Sequence, residues 1–207
     1  MRITRLIRLP VLAATAWALA AGGALASSPI SDDPAQVKAG VYQLDPAHGK
    51  ITWSVSHLGF STYVGQFAHV TATLTLKPGG LPESTLTASV DMASLGTLNP
   101  DLDKVLKSES FFDVAKYPTA TFVSTRILRS GKTTANVDGK LTLHGVTRPI
   151  VLKITFNQAG PVPMMKDYIA GFSGTAVVKR SEFGMGQYTN FITDDVPLQL
   201  EGEFHLQ

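Results

Sequence analysis

Five histidines, two glycine-rich stretches and no cysteine are the raw material for chemistry in this chain. His48, His57, His69, His144 and His205 are scattered. None falls at the H-x-H, H-x-x-x-H or H-E-x-x-H spacings that let one strand or helix face offer paired ligands to a metal. With no thiolate to complete a zinc set, neither a metal nor another cofactor is expected. Gly171-Phe172-Ser173-Gly174-Thr175 places a serine between glycines as a nucleophile elbow does. Its second glycine comes one position early, however, and no strand-to-helix context follows. Phe183-Gly184-Met185-Gly186 lacks the spacing and the following helix of a phosphate loop. These glycines fit a bulge or bend in a barrel strand better. No acid pair or activated nucleophile emerges, so the chain reads as a binding protein rather than an enzyme. His57 has two readings, a hydrogen-bonded rim residue or a donor to a ligand head group.

The elements that must position these residues are strands. In 51–57 the larger Ile51, Trp53 and Val55 alternate with Thr52, Ser54 and Ser56, and His57 continues the larger face. Leu86, Ala88, Val90 and Met92 alternate with Thr87, Ser89 and Asp91, and Ile150, Leu152, Ile154 and Phe156 repeat the pattern. Period two means one apolar and one polar face per strand. Segments near 41–46, 50–58, 65–76, 85–93, 119–128, 133–143, 149–157, 168–180 and 196–206 predict eight or nine strands. Breakers at Lys77-Pro78-Gly79-Gly80, Ser130-Gly131-Lys132 and His144-Gly145 make the connections hairpins, and so an antiparallel sheet. So many one-sided strands must close or stack, because open edges and a bare apolar face are liabilities. One short helix near 99–110 interrupts them. Asn99 is placed to cap it, Pro100 to start it and Asp101 and Asp103 to meet its dipole, while Leu102, Val105 and Leu106 form its apolar stripe. It delivers Phe111-Phe112 to the sheet, as core closure or as a lid.

The apolar face supplies the candidate ligand-lining residues. The early strands offer Trp53, Val55, His57, Phe60 and Phe67. The helix and the turn after it offer Leu106, Phe111 and Phe112, and the later strands Phe122, Phe172, Phe183 and Met185. Pattern alone leaves two alternatives open, since an eight-stranded barrel is either filled by side chains or hollow enough for one ligand.

The N-terminus reads as an export signal. Arg2, Arg5 and Arg8 precede an apolar run from Val11 to Ala21 that is too short to span a bilayer, and Ala24-Leu25-Ala26 forms a small-residue cleavage site. Residues 1–26 are therefore expected to be removed, 27–40 to form a polar leader, and 41–207 to form one domain in the periplasm. Loss of the three signal arginines leaves 15 basic against 16 acidic side chains. That balance gives no field for gripping nucleic acid or an anionic membrane surface. Period two alone does not say which face points inward, so an outer-membrane barrel is a rival. Phe204-His205-Leu206-Gln207 at the end, the amphipathic helix and the lack of aromatic girdles argue against it, and no stable membrane insertion is expected.

Several stretches together resemble the YceI-like family of exported lipid- and polyisoprenoid-binding proteins. They are Tyr42-Gln43-Leu44-Asp45 with His48; Val55-Ser56-His57-Leu58-Gly59-Phe60-Ser61 with Gly65-Gln66-Phe67; and Phe111-Phe112-Asp113-Val114 with Lys116-Tyr117-Pro118 and Thr121-Phe122. Gly139 through Ile150, Arg180-Ser181-Glu182-Phe183-Gly184-Met185 and Asp194-Asp195-Val196 complete the order. The resemblance covers 41–206. It implies an eight-stranded antiparallel lipocalin-like β-barrel whose long pore holds an isoprenoid chain, such as a quinone or its precursor. His57, Tyr63 or Tyr188 would then orient the head group. It also makes a homodimer a reasonable assembly. In the helix, Asp103 fits the family pattern, but Val105 stands where the family often carries histidine or an aromatic residue. A stress-induced scaffold and a lipid-acting enzyme without a recognised motif are the alternative functions.

Overall fold

The structure is a computed structural model that describes residues 30–162 and 167–207. The expected cleavage after Ala26 lies outside the described residues. Strands β1 (Gly40–Leu44) and β2 (Lys50–His57) share one stave of a barrel. Strand β11 (Asp195–Leu206) shows this directly: its Phe204–Leu206 end pairs with β1, and its Leu198–Glu201 portion pairs with β2. Strands β3 (Ser61–Phe67) and β4 (Val70–Leu76) share the next stave. Strand β5 (Thr85–Asp91) and the short β6 (Leu95–Gly96) share the third. After helix α1 (Pro100–Lys107) come β7 (Thr119–Arg129), β8 (Thr134–Leu143), β9 (Val146–Val162) and β10 (Asp167–Lys179). All neighbours are antiparallel, and the ring β1-β4-β5-β7-β8-β9-β10-β11 closes when β1 pairs with β11. The eight or nine expected segments thus resolve into eight staves, three of them broken in mid-course.

Alternation decides what faces inward, and bulges rescue it where it slips. In β7, Ala120 and Phe122 are buried at even positions, whereas farther along it is Ile127 that is buried. The register shift between Ser124 and Arg126 against β8 inserts one residue and restores the inward face. In β9 the buried residues change from Phe156 to Ala159. Opposite this change the register of β10 shifts between Gly171 and Phe172. The glycine expected at a bulge therefore lies at one. Outward positions carry Lys140, Lys153 and Gln199, all exposed, rather than the continuous apolar band of a membrane-spanning barrel.

Helix α1 forms where its end signals lie. The Asn99 side chain accepts from the amides of Asp101 and Leu102, each at 3.2 Å. The helix ends at Lys107 with Ser108 as its C-cap, short of the end expected near 110. Strand β6 ends the sheet ladder without reaching β7, and α1 with its flanking turns occupies that interval.

Residues 31–38, expected as a polar leader ahead of the fold, dock on it instead. Ser31 bridges to Ala159, and Val37 packs against the core at that end. Asp33 accepts from the amide of Ala35 at 3.0 Å and caps the turn Pro34–Gln36. The Tyr42 hydroxyl donates to the carbonyl of Lys38 at 2.7 Å, and the Tyr168 hydroxyl to that of Gln36 at 3.2 Å.

Tyr42 is fully buried, and burial, assisted by the neighbouring Tyr168, pushes its pKa up to about 12. The folded state thus holds the phenol proton more tightly than the unfolded chain does. This contribution is complete below pH of about 10 and is lost as pH rises towards 12. Denaturant titrations across that window are expected to show stability falling by about 2 kcal/mol more in the wild type than in Tyr42→Phe. At neutral pH the variant should lose about 1 kcal/mol for the missing hydrogen bond.

Candidate functional site

The inward side chains do not meet across the barrel. Between β2, β3, β7 and β11 and beneath α1 lies an upper chamber of about 560 Å³. A lower chamber of about 210 Å³ continues along the axis. Ile51, Val90, Ala120, Leu141 and Leu198 belong to both walls, so the two chambers adjoin at that level, the neck of the interior. A further cavity of about 290 Å³ at the far end, near Pro34 and Val37, shares Leu76, Ile154 and Phe172 with the lower chamber. Of the two alternatives that pattern left open, the structure has the hollow one.

Most of the candidate lining residues meet here. Trp53, Val55, His57, Phe67, Leu106, Phe111, Phe112 and Met185 line the upper chamber, and Phe122 and Phe172 the lower one. Phe67 and Phe112 pack edge to face at 5.8 Å, fastening the turn after α1 to the sheet. Trp53 is buried, and its Nε1 has no acceptor among the described residues. Its ring lies against Gly65, leaving no room there for a β-carbon.

Two of the candidates lie elsewhere. Phe60 is 88% exposed. Leu58 and Gly59 take left-handed φ values of 53° and 73°, and this tight β2–β3 turn carries the chain past the wall, so Phe60 projects outside. Phe183 is 3% exposed but lines neither chamber. The alternation of β10 ends at Lys179, and the 3-10 turn Arg180–Phe183 takes Phe183 away from the channel wall. His144, itself left-handed at φ 51°, holds the carbonyl of Phe183 through Nδ1 at 2.9 Å. The Tyr117 ring packs edge-on against His144 at 4.6 Å.

The helix contributes packing rather than polar contact. Leu102 and Leu106 face the chamber, whereas Val105 is exposed. The Asp103 carboxylate accepts from both the amide and the hydroxyl of Thr97, at 2.8 and 2.6 Å, anchoring the helix to the strand before it. His48 is likewise a turn residue, with Nδ1 2.6 Å from Asp45. That bond and the amide of Ala47 hold the Asp45 carboxyl below its ordinary range, and it raises the His48 imidazole in turn.

Among the described residues, the polar side chains that line the upper chamber are His57, Ser61, Tyr63, Asn99 and Arg180. Arg180 is not among the candidate lining residues that the apolar face offers. It is 8% exposed, and its guanidinium donates to four backbone carbonyls. Nε reaches Thr193 at 3.0 Å, Nη1 reaches Met185 and Gln187 at 2.6 Å each, and Nη2 reaches Ile192 at 3.0 Å. One side chain thus gathers the loop 185–193 over the chamber. A signal did exist, because Arg180 continues the inward parity of Ala176 and Val178, putting a charge on an apolar face. Around the mouth, Leu58, Leu98, Tyr188 and Phe191 are exposed, and Tyr188 stacks on Phe111 at 6.3 Å.

A closed eight-stranded antiparallel barrel with an apolar interior is of the lipocalin-like class. Within that class, the chain belongs to the YceI family, whose YceI-like domain matches residues 42–204. A UPF0312 protein of Pseudomonas savastanoi pv. phaseolicola is 39% identical over 188 residues, covering 89% of this chain and 94% of that protein. Among solved structures, BcnA of Burkholderia cenocepacia is 25% identical with a TM-score of 0.70, over 77% of this chain and 98% of BcnA. A polyisoprenoid binding domain from Saccharophagus degradans is 15% identical with a TM-score of 0.61, over 82% of this chain and all of that domain. The last likeness is one of fold.

Gly65→Ala is expected to displace Trp53 into the upper chamber. Overpacking of this kind costs about 1–3 kcal/mol. Thermal melts should show the loss, and the tryptophan emission should shift as the indole changes surroundings.

Proposed function

We propose that the protein is exported to the periplasm and carries a long apolar lipid, a polyisoprenoid such as an isoprenoid quinone or its precursor, inside the barrel. The observation that carries this reading is the hollow interior, two adjoining chambers walled mostly by aliphatic and aromatic side chains. An empty apolar channel is a poor place for water, which needs polar partners. Each methylene buried there contributes about 0.8 kcal/mol, so about ten of them reach micromolar affinity with no polar contact. The polyisoprenoid binding domain of Saccharophagus degradans, with the same fold, supports the choice of cargo. The basic, apolar and small-residue segments of 1–26 support export. Carrying is favoured over lipid chemistry because the polar groups at the mouth include no paired acid and base.

Two experiments test this. Organic extraction of purified protein, read by mass spectrometry, should release a long-chain isoprenoid in near-stoichiometric amount. Repeated recovery of protein with no lipid would refute the reading. Ala120, 5% exposed at the neck between the chambers, offers a plug. Ala120→Phe should lower lipid occupancy by about tenfold or more while costing about 1–3 kcal/mol of stability. For export, the periplasmic fraction should contain soluble protein beginning at Ser27.

A further inference from the structure

We propose that the rim of the upper chamber is a docking surface for a lipid bilayer, which the protein meets with uncharged apolar side chains rather than with basic ones. The proposal rests on the carrier reading above for its purpose, while its geometry stands on the rim alone.

Several large apolar side chains stand exposed in one place. The Leu58 amide donates to the carbonyl of Phe191 at 2.7 Å, which joins the β2–β3 turn to the loop 185–193. In that loop the Phe191 amide donates to the carbonyl of Tyr188 at 2.9 Å. Tyr188 in turn stacks on Phe111, just beyond the C-terminal end of α1. Leu58, Phe60, Tyr188 and Phe191 are all exposed. Leu98, also fully exposed, precedes the Asn99 cap at the other end of the same helix, and Asn99 lines the chamber. A linked apolar patch of this kind marks an interaction site, whereas single exposed apolar residues need no explanation.

The backbone holds three of these side chains outward. Five non-glycine residues have left-handed φ among the described residues, and Leu58, Leu98 and Tyr188, at 53°, 63° and 59°, are the exposed large apolar ones among them. Such a conformation costs a bulky residue energy. Here that cost goes into presenting the side chains to the outside rather than into burying them.

Charge and continuity identify the partner. Residues 58–67, 92–99 and 184–193 contain no charged side chain, and over 100–117 four acidic residues stand against three lysines. Such a rim gives no strong attraction to a partner of either sign. Its apolar surface also runs on into the chamber, because Phe111, which touches Tyr188, and Ile192, which follows Phe191, both line the chamber wall. A partner protein or a second copy seated on the rim would stop the mouth. A bilayer offers apolar surroundings from which a chain passes inward without crossing water. Phenylalanine and leucine suit the acyl boundary, and tyrosine, with its polar tip, suits the head-group level.

The test is flotation with phosphatidylcholine vesicles, using the processed chain 27–207, which contains every described residue. The wild type is expected to float with the vesicles, equally at about 0.05 and 0.5 M salt, because no charge makes the contact. Phe60→Ser combined with Leu98→Asn removes two exposed side chains that line neither chamber, and asparagine accepts left-handed φ. This double variant should partition about tenfold or more weakly, with its melting temperature unchanged. Val177→Ser, exposed on the outer wall of β10, should partition within about twofold of the wild type. A wild type that stays out of the vesicles, binding lost at high salt, or a double variant that floats like the wild type overturns the proposal. Equal loss in Val177→Ser does so too, since the rim then does not make the contact. A wild-type dimer that ignores vesicles and becomes a monomer in the double variant assigns the patch to a second copy and likewise overturns it. The carrier reading survives all of these and falls only if organic extraction finds no lipid. Should the double variant lose its melting transition, Phe60→Ser alone, expected to partition about threefold more weakly, decides.

Discussion

Closure is the constraint on which the rest of this molecule depends. A ladder of only three residue pairs, Tyr42 with Leu206, Gln43 with His205 and Leu44 with Phe204, joins the first strand to the last. Without it the eight staves would be a curved sheet with two long edges and one bare apolar face. With it every strand acquires an inside and an outside, and alternation becomes a rule about the channel. The docked segment 31–38 serves the same end. Its carbonyls take the hydroxyls of Tyr42 and Tyr168, so the closing strand is held from its flank as well as by its ladder.

Closure also explains why the interior is hollow. The walls carry large residues such as Phe122 and Phe172, yet small residues recur among them. Gly174 packs against Ile154 and Leu200, Gly139 makes room for the Phe122 ring, and Gly65 does so for Trp53. These positions let large side chains lie along the wall rather than across the barrel. The channel is thus a product of how neighbouring strands share space.

The two ends are built differently. At the far end Tyr42, Leu44, Phe156 and Phe204 pack as a buried cluster beside the further cavity. At the other end β6 stops short of β7, α1 bridges the interval, and Arg180 gathers the loop 185–193. Backbone strain collects at that end. Leu58, Leu98 and Tyr188 are all left-handed and all exposed. Bulky residues adopt such φ values at a cost, one that functional regions tend to carry. A packed cluster at one end and a constructed mouth at the other make the two ends of the barrel unlike.

The sequence by itself determined the strands, the helix start and the inward face. Each rests on neighbours in the chain: alternation in β5 and β9, the Asn99 cap and Pro100, the glycines of turns and of the bulge at Gly171. Six of the candidates found on the walls, Trp53, Val55, His57, Phe67, Phe122 and Phe172, were legible for that reason, since parity along a strand is local. What only the tertiary structure decided depends on residues distant in sequence. The turn at Leu58-Gly59, where the Leu58 amide donates to the carbonyl of Phe191, turned Phe60 outward, and the turn Arg180–Phe183, whose Phe183 carbonyl meets His144, took Phe183 off the wall. The pairing of Arg180 with carbonyls up to 13 residues away made an inward charge into the organiser of the mouth. Whether the apolar faces meet or stand apart was likewise decided there, because the width of a closed barrel is set by all its strands together and by none of them alone.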